Sequence, residues 1–176
     1  MSCSIPAFDE GEDPTRPGYD IIVQALSGHM SVTGEPDRPP MRPGVALLDV
    51  VCGLYAANAI QAALIRRAST GEGAHVTVSL FASGVAALVN QAANHLVGGE
   101  VPHRMGTAHP NIVPYQVFRA RDRYIAVGVG NDKQWKNLCE IAERPELASD
   151  PRFSTNPERV RNRAVRSASA GYRGST

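Results

Sequence analysis

Residues 44–73 read GVALLDVVCGLYAANAIQAALIRRASTGEG, and the fold turns on how this stretch is understood. Between Pro43 and Ile65, Asp49 is the only Asp, Glu, Lys or Arg. Asn58 and Gln61 are polar but uncharged, and Gly53 interrupts the apolar run. A continuous apolar segment of this length predicts a buried core helix; its polar interruptions argue against a membrane span. The helix is expected to begin near Asp49 and to end at Arg66 and Arg67. These cations suit the negative end of the helix dipole, and Gly71 stands where a stop belongs.

Working outward, His75 to Leu80 alternates, with Val76, Val78 and Leu80 on one face, which predicts a strand. Leu80 to Val97 is Ala-rich and apolar and predicts a second helix. Upstream, Tyr19 to Leu26 is short and apolar on one face, with Gly28 placed to stop a helix. Residues 1–18 read as a loop, punctuated by Pro6, Gly11, Pro14, Pro17 and Gly18. Residues 33–44 form a Pro-rich connection. Beyond Gly98, a loop to Pro114 precedes a hairpin of Tyr115 to Arg119 and Tyr124 to Gly128. Asn131 is expected to cap a helix reaching about Glu143, and Asn156 with Pro157 to start another. The class is α/β. A boundary is expected near Gly98, giving 1–97, 98–163 and a tail from 164. One predicted strand cannot make a sheet, so partner strands are expected elsewhere.

Composition narrows the function. The formal charge is +1 over 176 residues, so no whole-molecule field attracts nucleic acid or an anionic membrane. Six arginines crowd residues 152–176. Without interleaved aromatic residues they read as a solvated helix and tail rather than a base-stacking surface. Cys3, Cys52 and Cys139 lack disulfide or metal-site spacing, so no metal is expected and a reducing, cytoplasmic compartment is the simplest reading. Met1 to Asp13 has no basic stretch followed by an apolar one, so no signal peptide is read there.

Asp49 has two readings. As the cap or first-turn residue of its helix, it would accept hydrogen bonds from free backbone N–H groups. As a nucleophile, a carboxylate is already ionised near neutral pH and needs no base to attack an activated acyl group. TGEG at 70–73 lacks the ending of a phosphate loop and reads as a helix stop. In the loop Gly106 to Gln116, His109 stands beside Pro110 and Asn111. One loop histidine without an ordered partner defines no triad.

Taken in order, several segments resemble the class III CoA-transferases, the family that also includes α-methylacyl-CoA racemases. They are CSI (3–5), RPGYDIIVQALSGHMSVTGEP (16–36), RPGVALLDVVCGLYAANAIQAAL (42–64), STGEGAHVTVSL (69–80) and NQAANHLVGGEVPHRMGTAHPNIVPYQVF (90–118). The stretch from IAVGVGNDKQW to DPRFSTNPERVRNR continues the match. The form HPNIVPYQVF is most similar to members acting on dicarboxylates.

The resemblance implies a fragment of the family fold, a Rossmann-like large domain with a small α+β domain. It implies Asp49 as catalytic nucleophile, carrying an aspartyl anhydride and then an aspartyl-CoA thioester. Arg16, Tyr19, His109, Asn111 and Tyr115 fall where substrate or coenzyme A contacts are expected. Tyr19 occupies the place of a catalytic His in the racemase branch. A phenol is a poor proton shuttle near neutral pH, so the transferase branch is favoured. No tightly bound cofactor is implied; a coenzyme A thioester is a substrate, with a carboxylate acceptor. The intact enzyme is expected to be an interlocked homodimer. Family members are longer, and similarity stops after Asn162–Val165, so a truncated or frame-shifted member is expected. An inactive fragment is the alternative to an active transferase.

Overall fold

The computed structural model describes residues 1–9 and 16–164. The chain forms two compact units, Met1–Gly106 and Thr107 onward. The expected tail beyond 164 lies outside the described residues.

In the first unit, β1 (Ser2–Ser4) precedes α1 (Asp20–Leu26), α2 (His29–Val32), α3 (Leu47–Thr70), β2 (His75–Thr77), α4 (Leu80–Ala86) and α5 (Asn90–Leu96). Residues 2–4, expected to be loop, instead pair in parallel with β2 in the register Ser2↔His75, Cys3↔Val76 and Ser4↔Thr77. The contact runs past the strands, because Leu80 N–H donates to Pro6 O at 2.9 Å and Phe81 N–H to Ala7 O at 2.9 Å. β2 falls within the stretch His75 to Leu80 whose alternation predicts a strand, whereas β1 is too short to show in the hydrophobic pattern and is defined by backbone pairing.

Phe8, Val23, Leu48, Cys52 and Leu80 make the core of this unit. α3 contributes a single stripe, Leu48, Cys52 and Ala56, spaced four residues apart so that they share one helix face. Val50, Leu54, Leu64 and Ile65 are exposed. The expected buried core helix is therefore packed on one side only. At 24 residues, with an 18-residue stretch of mean hydropathy 1.6, α3 is long and apolar enough to cross a membrane by length and composition. Its buried stripe nevertheless packs against Val23 and Leu80, and Cys52 Sγ donates to Val78 O at 3.7 Å. Gly71 closes the helix in the left-handed conformation, its N–H donating to Arg67 O, as the sequence predicts.

The helix expected over 80–97 is two helices. Ser79 caps the first through Oγ, which accepts from Ala82 N–H at 2.9 Å, and Val89, at φ 49°, separates it from the second. No glycine or proline marks that break, so the Ala-rich composition hides it. The loop 98–106 bonds back into the first unit, Arg104 donating to Glu35 O and Pro36 O and Gly106 N–H to Gly34 O. The division therefore falls after Gly106 rather than near Gly98.

The second unit opens with the antiparallel hairpin β3 (Tyr115–Arg119) and β4 (Tyr124–Gly128), in register Tyr115↔Gly128 through Arg119↔Tyr124. Then follow α6 (Asp132–Ile141), α7 (Glu146–Ser149) and α8 (Asn156–Arg161). Asn131 caps α6, its Oδ1 accepting from Gln134 N–H at 2.9 Å. Val129, Trp135, Cys139 and Phe153 form this core. For α8 the cap position is Thr155, not Asn156. Asn156 is spent elsewhere, accepting from Val113 N–H at 3.1 Å and donating to Asn111 O at 2.8 Å.

Arg159 of α8 is fully buried. Its guanidinium donates to Val113 O at 2.7 Å, Phe153 O at 3.0 Å and Asp132 Oδ1 at 2.9 Å, and lies 5.3 Å from the Trp135 ring centroid. A buried cation is tolerable only with such compensation. Arg159→Ala would orphan two carbonyls and is expected to cost about 3 kcal/mol. Asp132→Ala leaves the buried guanidinium without its carboxylate partner and should cost about 2 kcal/mol, water replacing part of the half-exposed contact. Urea unfolding followed by the fluorescence of Trp135, the single tryptophan, measures both.

Candidate active site at the head of helix α3

Asp49 is the third residue of α3, whose cap position is Ala46. Alanine has no side-chain acceptor, so the first amides of the helix need one from elsewhere. That acceptor is Asp20. Its Oδ1 accepts from Leu48 N–H at 2.8 Å and, at the long end of the range, from Asp49 N–H at 3.4 Å. Gln24 Nε2 donates to the other oxygen in a very short contact. Asp20 and Gln24 are both buried. The expectation that Asp49 itself ties off backbone amides is therefore corrected: a carboxylate from α1 performs that task. Among the described residues, no hydrogen bond or ion pair engages the exposed Asp49 side chain.

Asp49 lines an open cleft of about 400 Å³. Gly53 follows one turn later on the same face of α3, and Cys52 lies between them. The opposite wall comes from Pro6 and Ala7, just after β1, and from Gly18. A Cβ at Gly18 would lie 1.9 Å from Ala7 Cβ, so only glycine lets these two segments pass so closely. At Gly53 a Cβ would meet nothing within 4 Å. The cleft opens at the N-terminal end of α3.

The other sequence candidates sort by unit. In the first, Tyr19 holds the cap position of α1 and is 74% exposed; its ring is not part of the cleft lining. Arg16 stacks its guanidinium over Phe8, 4.4 Å from the ring centroid. In the second, His109, Asn111 and Tyr115 gather. His109 Nδ1 accepts from Asn111 N–H at 3.1 Å, His109 N–H donates to Tyr115 O at 2.9 Å, and the two rings meet edge-on at 5.3 Å. With Nδ1 an acceptor, the neutral ring carries its proton on Nε2. Arg163 donates to His109 O at 2.7 Å and to Pro110 O at 2.8 Å, and burial holds its guanidinium below the ordinary arginine range. The histidine expected to lack an ordered partner is thus built into a braced loop.

Asp20 is the site residue that sequence reasoning passes over. The available signal is the helical spacing of Asp20, Gln24 and Ser27, a polar stripe at i, i+4 and i+7. Such a stripe ordinarily faces solvent; here all three are buried, while Ile21, Ile22 and Leu26 are exposed.

A two-stranded parallel pairing among helices, with a carboxylate unpaired among the described residues on a cleft at a helix head, defines an α/β protein with a candidate site at Asp49. The model of CoA-transferase family III matches residues 1–170, and the chain belongs to that family. It is 46% identical over 159 residues to a succinate–glutarate CoA-transferase of Agrobacterium fabrum, covering 90% of this chain and 40% of that protein. It is 45% identical over 162 residues to the human succinyl-CoA:glutarate CoA-transferase, covering 92% and 37%. Among solved structures, a CAIB/BAIF family protein from Brucella suis superposes with TM-score 0.73 at 47% identity, covering 96% of this chain and 45% of that one. A hypothetical protein from Mycobacterium tuberculosis superposes with TM-score 0.79 at 28% identity, covering 95% and 44%. The chain thus spans about two fifths of the length of the curated relatives it matches.

Gly53 sits in a helix interior with open space around it, so it forgoes stability in exchange for an open cleft. Gly53→Ala is expected to stabilise the first unit by about 0.5–1 kcal/mol. Urea unfolding followed by far-UV circular dichroism would show an upward shift of the midpoint.

Proposed function

We propose that the protein moves coenzyme A from an acyl-CoA thioester to a carboxylic acid, with Asp49 as the covalent carrier. The observation that carries this reading is the Asp49 carboxylate, exposed on the cleft while Asp20 satisfies the amides of Leu48 and Asp49. In the first step an Asp49 oxygen attacks the thioester carbonyl carbon. The C–S bond breaks, coenzyme A leaves as a thiolate, and a mixed anhydride forms. The thiolate then attacks the Asp49 carbonyl carbon, expelling the donor carboxylate and leaving an aspartyl-CoA thioester. The acceptor carboxylate repeats the sequence in reverse, regenerating Asp49 and a new thioester. No net proton changes hands, so the chemistry needs no general acid or base.

A dicarboxylate acceptor is the substrate class we favour, because the relatives at 45–46% identity are named for succinate and glutarate. The transferase reading is preferred to racemisation because Tyr19, at the place resembling the racemase histidine, exposes its ring outside the cleft.

Incubation with succinyl-CoA, trapping with hydroxylamine and peptide mass spectrometry test the intermediate. The expected result is a hydroxamate on Asp49, formed as nitrogen replaces the sulfur of the thioester. Asp49→Asn should abolish both the adduct and the exchange of thioesters with glutarate. An unmodified Asp49 peptide, or normal exchange by the Asn variant, would sink the proposal.

A further inference from the structure

We infer that Asp20 is a positioning residue for Asp49, a helix cap supplied from a different helix so that the nucleophile is left for chemistry. The inference rests on the reading of Asp49 as the covalent carrier.

The first turn of any helix presents N–H groups without intrahelical acceptors, and the nearest oxygen takes them. Here the cap position is Ala46, which has none. Asp49, in the first turn, stands where an acidic side chain is drawn to the positive helix end and its free amides. Left alone, α3 would recruit its own nucleophile. Asp20 forestalls this from 28 residues earlier in the chain, bonding the N–H of Leu48 at 2.8 Å. Its aim is constrained at both ends. Gln24, itself fully buried, holds the second carboxylate oxygen one turn along α1. Leu48, whose amide is bound, is fully buried in the core. Burying an acidic side chain is costly unless it is well bonded, and Asp20 accepts from Leu48, Asp49 and Gln24. The role is therefore one of orientation. Asp20 has no place on the cleft lining and touches no reacting atom.

The test reads the accessibility of Asp49 without invoking coenzyme A. The whole chain is treated with a water-soluble carbodiimide and glycine ethyl ester. Labelling of Asp49 is then followed by peptide mass spectrometry, normalised to the exposed Glu72. Asp20→Ala should slow labelling of Asp49 by about fivefold, as its carboxylate turns onto the vacated amides. Asp20→Asn keeps a carbonyl acceptor and should label like the unaltered protein. Asp20→Ala combined with Ala46→Ser, which installs a local cap, should recover the rate. Far-UV circular dichroism establishes that each variant folds.

Unchanged labelling in folded Asp20→Ala protein would overturn the inference. So would folded Asp20→Asn protein that labels slowly, and this second arm decides the matter should the Ala variant fail to fold. If hydroxylamine trapping finds no adduct on Asp49 while these labelling rates behave as expected, the transfer reading fails and the capping relation stands.

Discussion

Three hydrogen bonds to one buried carboxylate organise the first unit. Asp20 fastens the head of α3 to α1, and Gln24 fixes Asp20 in turn. A helix head is a set of donors in search of an oxygen, and burial of a carboxylate demands donors. Each need answers the other, so α1 and α3 meet at one relative setting. Leu48 and Cys52 then fall onto Val23, Phe8 and Leu80, and Asp49, one residue beyond the bonded amide of Leu48, turns to the cleft. The geometry that makes Asp49 chemically available is a by-product of where the cap comes from.

The second unit solves a comparable problem with the opposite charge. Arg159 enters the core because three oxygens on different segments, Val113, Phe153 and Asp132, converge on it. The carbonyl of Val113 and the bonds from Asn156 and Arg163 brace the loop carrying His109 and Asn111. In both units, polar groups that appear solvated in the sequence hold the segments carrying the candidate residues, while the apolar residues supply bulk. Backbone groups on loops have no ladder to satisfy them, so side chains from distant helices do so.

Glycine placement in the cleft follows the same economy. Gly18 lets the start of α1 pass Ala7 without a clash, and Gly53 leaves an empty surface one turn from Asp49. The first is demanded by packing. The second meets no neighbour within 4 Å.

Much of the architecture is legible in the chain itself, for local reasons. The long helix, its Gly71 stop, the hairpin strands Tyr115–Arg119 and Tyr124–Gly128, and the Asn131 cap all depend on neighbours a few residues apart. Asp49 stands out for the same reason, as the lone charge in an apolar run. The parallel pairing of residues 2–4 with 75–77, the break at Val89 and the burial of Arg159 are absent from local pattern. Each depends on groups brought together from distant parts of the chain or on packing around a single residue. The role of Asp20 belongs with these. Sequence alone determines that a carboxylate sits at the head of α3; only the tertiary fold, by delivering a second carboxylate to the helix amides, decides that the first one is open to the cleft.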